Sequence, residues 1–314
     1  MSLLPAHLAP AAAGVIAGVL ALLAAATMVA RLRLRRDPEG ARELWLRVRS
    51  WWVMVAVFAG AVLLGTGASI VFLAFVSYLA LKEYLSLIPT RRADRRVLFW
   101  AYLAIPVQYL WVAQAWYGMF IIFVPVYMFL LLPLRMVLAG ETAGFLRAAG
   151  TLHWGLMSTV FALSHTAYLL ALPPEANPAG GRAGLLLYLV LLTELNDVAQ
   201  YVWGRLLGRR PVVPKVSPRK TVEGLAGGML TTTALALALA PLLTPLTPLE
   251  ALGAGLLVGL GGFAGDVTLS AVKRDIGVKD SGTLIPGHGG ILDRIDSLTY
   301  TAPLFFHYVF YLHY

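Results

Sequence analysis

Between Ser270 and Ser297 the chain sets Lys273, Arg274, Lys279 and Arg294 among Asp275, Asp280, Asp293 and Asp296, with His288 between Gly287 and Gly289-Gly290. Asp293 and Asp296 are three residues apart, a spacing that puts both carboxylates on one helix face. With Asp266 just upstream they could converge on a hard cation, because Mg2+ takes oxygen ligands and usually bridges to substrate phosphates. Carboxylates for a metal beside Lys and Arg for phosphate oxygens are the equipment of phosphoryl or nucleotidyl transfer. The glycines allow close backbone approach around His288. Glycines and Pro286 at these positions argue for a shaped loop rather than a merely solvated one.

A second segment, Asn196 to Gly228, carries hydroxyls, cations and permissive glycines at the mouth of two helices. Ser217-Pro218 reads as a turn. Lys220 and Thr221 fall near the N-terminus of the next helix, where free backbone N–H groups favour an anion. This is a candidate phosphate cradle, without the Gly-Lys-Ser/Thr spacing of a Walker loop. Glu194 and Asp197 share a face of the apolar run before it, and Asp266 ends a glycine-dense one. An ionised group inside a span costs about 2.5–3.5 kcal/mol on the mildest scale, so it usually faces a water-filled cavity, a cation or a metal. Glu194 reads equally well as a helix–helix hydrogen bond or an interfacial group. His7, His153, His165, His307 and His313 have no ligand-like spacing.

The elements that must hold these residues lie in a bilayer. The 314-residue chain is 59% hydrophobic and 13% charged and has no cysteine. Its mean hydropathy is +0.76. A soluble domain carries about 25% charged residues, so a soluble enzyme, a disordered chain and a disulfide scaffold are excluded. Thiol catalysis and thiolate metal sites are excluded as well. The expectation is an all-α polytopic integral membrane protein with about ten spans. They cover roughly 9–30, 51–66, 68–88, 97–115, 117–134, 152–172, 184–204, 225–246, 250–272 and 297–313. The run 51–88 is either a tight hairpin or one long helix. The first span, followed by arginines and lacking a cleavage site, reads as a retained helix rather than a signal peptide.

Ten spans place the loops 31–50, 82–96, 135–150, 205–224 and 273–296 on one side, with 24 of the 25 Lys and Arg residues; only Arg182 is opposite. Positive residues mark the cytoplasmic face, so both motif loops face the cytoplasm and both termini lie outside. The net charge of +9 is thus chiefly an orientation signal. Nucleic acid is excluded as a partner, because no loop interleaves its cations with aromatics. The arginines of 31–49 are expected against anionic headgroups. Residues 1–150 read as a transmembrane scaffold or lipid access, and 151–314 as the catalytic transmembrane region with loops 205–224 and 273–296.

The stretch Ser270–Asp296 resembles the phosphatidate cytidylyltransferase (CDP-diacylglycerol synthase) family. The family pattern is matched by Ser270, Lys273, Arg274, Lys279, Asp280, Gly282, Pro286, His288, Gly289, Gly290, Asp293, Arg294 and Asp296. The stretch Asn196–Gly228 is similar to the family's Asn-Asp, Gly-Arg and Ser-Pro-x-Lys-Thr-x-Glu-Gly segments. Val198, Gln200, Arg219 and Val222 depart from its commoner residues at flanking positions, which bears on subfamily and lipid preference more than on chemistry. The resemblance implies that CTP and phosphatidate give CDP-diacylglycerol and pyrophosphate, the lipid phosphate attacking the α-phosphorus of CTP. It implies Mg2+, with K+ as a second cation. Asp266, Asp293, Asp296 and Asp197 are the candidate metal ligands. Lys273, Arg274, His288 and Arg294 are the catalytic candidates, and Ser217, Lys220, Thr221, Ser270 and Lys279 the phosphate-binding ones. His288 is expected to contact phosphate rather than act as a base, since a phosphate monoester is already largely anionic at pH 7. Alternatives are a related CTP-dependent enzyme acting on another lipid phosphate or a polyprenol, and, remotely, an ion-coupled transporter. The expected partners are CTP, phosphatidate and membrane lipids, with a homodimer left open. The expected location is the bacterial cytoplasmic (inner) membrane.

Overall fold

The computed structural model describes residues 8–37, 39–91 and 94–314. His7 and Arg92, both counted above, lie outside the described residues. The apolar runs fold into helices because a helix satisfies every backbone N–H and C=O within one segment, as a bilayer demands. The first four are α1 (Pro10–Arg36), α2 (Arg42–Leu64), α3 (Thr66–Leu87) and α4 (Arg95–Ala113). Gly65, at φ +109°, separates α2 from α3, so the run 51–88 belongs to a helical hairpin. Next come α5 (Tyr117–Ile122) and α6 (Phe129–Val137), joined through a π-helical stretch Phe123–Met128 that contains Pro125. A proline removes one N–H from the ladder, and a π-turn is a usual place to absorb that loss. A second π-stretch, Met157–Phe161, joins α7 (Phe145–Leu156) to α8 (Ala162–Tyr168).

The second half contains α9 (Gly181–Leu207), a hairpin of β1 (Pro211–Val213) and β2 (Ser217–Thr221), then α10 (Val222–Leu243) and α11 (Pro248–Asp275). A single short turn, α12 (Leu292–Ile295), precedes α13 (Leu298–His313). Among the described residues eight helices are long and apolar enough to cross a membrane: α1 to α4, Tyr117–Val137, α9, α10 and α11. The α7–α8 unit and α13 stand where the sixth and tenth spans were expected. At 16 residues α13 is shorter than the roughly 20 that a span needs.

Two loops are shorter than hydropathy suggested. In 31–50, α1 runs on to Arg36 and α2 begins at Arg42. Charge ends the membrane-compatible stretch but not the helix, since arginine is a good helix former. In 205–224, α9 continues to Leu207 and an antiparallel pair follows, with Pro211 opposite Thr221 and Val213 opposite Ser217.

The glycines of α11 let its neighbours approach closely, as small residues do in membrane bundles. A Cβ at Gly255 would meet the backbone of Thr233 on α10, and one at Gly262 would meet the Asn196 amide on α9. Asn196 is buried, accepts from Thr232 at 3.0 Å and donates to the Gly259 carbonyl at 3.4 Å, so it joins α9, α10 and α11. It stands beside the residues with chemistry in them.

Candidate active site

The loop after α11 is held at both ends by carboxylates. Lys273 Nζ pairs with Asp293 Oδ1 at 2.7 Å. Asp293 Oδ2 accepts the backbone N–H of Ser281 at 2.9 Å and of Gly290 at 3.0 Å. Glu83, on α3, accepts the Ser281 hydroxyl at 2.5 Å and the N–H groups of Ile291 at 2.9 Å and Leu292 at 3.1 Å. Between these ends the chain makes a tight turn. Ile285 bridges to Gly289, and Gly287 and Gly289 take φ +76° and +83°, which an L side chain resists. The Ser50 hydroxyl donates to the Pro286 carbonyl at 2.7 Å, and the Trp51 ring meets His288 edge-on at 6.0 Å.

Under this loop lies a cavity of about 980 Å3. Of the sequence-derived candidates it is lined by Asp197, Asp266, Lys279, His288, Asp293, Arg294 and Asp296. Glu43, Arg47 and Trp51 from α2, Glu194 and Tyr201 from α9, and Asp280 and Thr283 from the loop line it as well. The other candidates stand outside the lining. Lys220 forms an ion pair with Asp266 and lies 5.3 Å over the Phe263 ring, and Ser270 donates to Asp266 at 3.2 Å. Lys273 reaches the cavity wall only through Asp293. Arg274 donates to the Val216 carbonyl at 3.4 Å, so it touches the β-hairpin that begins its second strand at Ser217. The Thr221 hydroxyl accepts the Gly224 N–H at 3.1 Å and caps α10. An orphan N–H at a helix start is satisfied by the nearest side-chain oxygen, here that of Thr221.

The residues that sequence reasoning missed come from the first half of the chain: Glu83, Ser50, Arg47 and Trp51. Glu83 left one signal, a carboxylate near the end of an apolar run where charge is costly.

The electrostatics divide the site. Asp296 is held well above the usual carboxylate range, first by burial and then by the neighbouring Asp266 and Asp197 carboxylates. For Asp293 burial also opposes ionisation, but hydrogen bonds from Lys273, Gly290 and Ser281 outweigh it and hold the pKa low. His288 is held below its ordinary value by burial and then by the charges of Arg294 and Arg47. Arg294 Nε is buried with no hydrogen-bond partner. The cavity lining thus holds mutually repelling carboxylates together with an unsatisfied cation. Among the described residues no three His, Asp or Glu groups stand where together they could hold a metal ion. Asp197, Asp266 and Asp296 offer the oxygen donors that Mg2+ takes, while the Ser297 hydroxyl here bonds both Asp197 oxygens and Lys220 pairs with Asp266.

The profile of the Cytidylyltransferase family matches residues 45–312. YnbB of Escherichia coli K12, whose name carries the word uncharacterized, is 50% identical over 297 residues, 94% of this chain and 97% of YnbB. The phosphatidate cytidylyltransferase of Staphylococcus aureus COL is 40% identical over 120 residues, 38% of this chain and 46% of that protein. The phosphatidate cytidylyltransferase of Haemophilus influenzae Rd is 42% identical over 137 residues, 41% of this chain and 46% of that protein. The matches to these enzymes thus span about half of their length.

Proposed function

The chain belongs to the cytidylyltransferase family, and on that premise we propose that it transfers the cytidylyl group of CTP to phosphatidate. The products are CDP-diacylglycerol and pyrophosphate. An oxygen of the lipid phosphate attacks the α-phosphorus of CTP, and the bond from that phosphorus to the bridging oxygen breaks in line, releasing pyrophosphate. The observation that carries this reading is the cavity itself. It brings the unsatisfied Arg294 guanidinium and Lys279 into one lining with Asp197, Asp266 and Asp296.

Arg294 binds phosphate oxygens through its planar fork. Lys279, at the exposed rim, adds a mobile point charge for the triphosphate. His288, neutral at pH 7 in this setting, orients a phosphate oxygen through a ring N–H. Lys220 and Ser270 act through Asp266, which both touch, and Lys273 acts through Asp293. Asp197, Asp266 and Asp296 would hold Mg2+, with K+ as a second cation on the same oxygen-rich wall. When bound, the metal offsets charge on the phosphate oxygens and helps fix their alignment. The residues themselves need supply little proton transfer, so positioning and charge are their task. The site faces the cytoplasm of a bacterial inner membrane in this reading, supported by the one-sided distribution of Lys and Arg.

Purified protein given CTP labelled at the α-phosphate, Mg2+ and phosphatidate should form a labelled CDP-lipid with equimolar pyrophosphate. Product with polyprenyl phosphate but not phosphatidate would reassign the acceptor. Absence of product with every lipid phosphate would overturn the reading.

A further inference from the structure

We propose that Glu83 is a positioning residue for this site: from α3 it holds the 281–292 segment in the arrangement that carries His288, Arg294 and Asp296 to the cavity. The inference rests on the cytidylyl-transfer reading of that cavity. Glu83 does not line the cavity, so it acts through the groups it touches.

Its carboxylate is fully engaged. Oε1 takes the Ser281 hydroxyl and the Leu292 N–H, and Oε2 takes the Ile291 N–H. These partners lie about two hundred positions away in the chain, at the two ends of the segment that bears His288. Hydrogen bonds to an ionised acceptor are roughly twice as strong as neutral ones. Ser281 has one hydroxyl hydrogen. It stands 2.5 Å from Glu83 and 2.9 Å from Asp293, so it goes to Glu83 while the Ser281 N–H serves Asp293. The two carboxylates therefore share one serine, and α3, the loop and α12 lock together.

A second, independent observation is the space left for this carboxylate. A Cβ at Gly282 would lie 3.0 Å from Glu83 Oε2, and one at Gly290 would overlap Glu83 and the Ser281 hydroxyl. Both glycines have φ outside the left-handed region. Room for Glu83, not backbone conformation, explains their size. Without the carboxylate the loop samples other arrangements. Apparent affinity then falls in proportion to the fraction of molecules that keep the competent one.

The test compares full-length wild type, Glu83→Gln, Glu83→Asp and, as a control on the same helix, Lys82→Ala. Equilibrium CTP binding is scaled to folded protein, and amide hydrogen exchange is followed at Ile291 and Leu292. Glu83→Gln is expected to weaken CTP binding by about tenfold or more, the size typical when a group that orients a ligand-binding residue is lost. Its Ile291 and Leu292 amides should exchange faster. Glu83→Asp should recover part of the affinity, and Lys82→Ala should match wild type. A purely structural role lowers the folded fraction but leaves the affinity of folded molecules unchanged. That result, or wild-type affinity in Glu83→Gln, overturns the proposal. If wild type binds CTP yet transfers nothing to phosphatidate, the acceptor assignment fails and the affinity ratio still decides the role of Glu83. If wild type does not bind CTP, both fall.

Discussion

Lys273 and Asp293 form a 2.7 Å ion pair whose side chains are only 14% and 8% exposed, joining the end of α11 to α12. Removing one partner of such a pair leaves a buried charge, which typically costs about 3–5 kcal/mol. Asp293 keeps the Ser281 and Gly290 N–H donors, so Lys273→Met is expected to cost somewhat less, about 2–3 kcal/mol. Asp293 titrates below its unfolded value in the folded protein. Its contribution is therefore full above about pH 4 and lost as the pH falls through the lowered pKa. Unfolding in detergent at neutral pH and near pH 3 checks both statements. Lys273→Met with wild-type stability at neutral pH would remove the pair from its structural role.

The orientation has a clean test, because the chain contains no cysteine of its own. Ala179→Cys lies before α9 and Lys215→Cys lies in the β-hairpin after it, both at exposed positions. One spanning helix separates them, so this pair does not depend on the total span count. An impermeant maleimide should label position 215 only from the cytoplasmic face and position 179 only from the other. Labelling of both from one side would sink the topology. Thr142→Cys then decides whether α7–α8 crosses: with a crossing it labels with position 215, without one it labels with position 179.

Much of the cavity wall was legible because residue type and spacing carry it. Asp293 and Asp296 at three apart, and the glycines around His288, name a loop whatever the fold. Glu83 was not legible, because its partners are about two hundred positions away and only helix packing brings them together. Thr221, at a helix start, is expected as a phosphate ligand. The structure gives its oxygen a local partner, the Gly224 N–H, which the same N-terminal position supplies. The end of α1 and the start of α2 extend past the apolar runs for another reason. Hydropathy marks where a membrane-compatible stretch stops, whereas a helix stops where its hydrogen bonds do. The β-hairpin at 211–221 has too few residues for a two-residue alternation to stand out.

His288 predicts a pH dependence. Burial, Arg294 and Arg47 hold its imidazole below the ordinary value of about 6.5. The folded state then binds fewer protons than the unfolded chain as the pH drops below that value. Stability from this group is unchanged above about pH 6.5 and declines below it. His288→Asn should flatten that part of the stability profile between about pH 7 and pH 5.5, while leaving stability at pH 8 nearly the same. An identical slope in the variant would place the titration elsewhere.

Asp296 makes the opposite demand. Burial and the Asp266 and Asp197 carboxylates hold its pKa well above the carboxylate range. The folded state resists its ionisation, so stability is lost as the pH rises from about 4 through the raised pKa. A cation among the three carboxylates reverses that cost. MgCl2 is therefore expected to stabilise the wild type, by about 2.7 kcal/mol at a hundred times its dissociation constant. Asp296→Asn should be more stable than wild type in EDTA and should lose most of the Mg2+ increment. Asp293→Asn should keep that increment, because the carboxylates that act on Asp296 are Asp266 and Asp197 and not Asp293. Calorimetric melts of the three proteins with EDTA and with Mg2+ separate the roles. If Asp293→Asn loses the increment and Asp296→Asn keeps it, the cation is held by Asp293, and Lys273 must leave Asp293 to admit it.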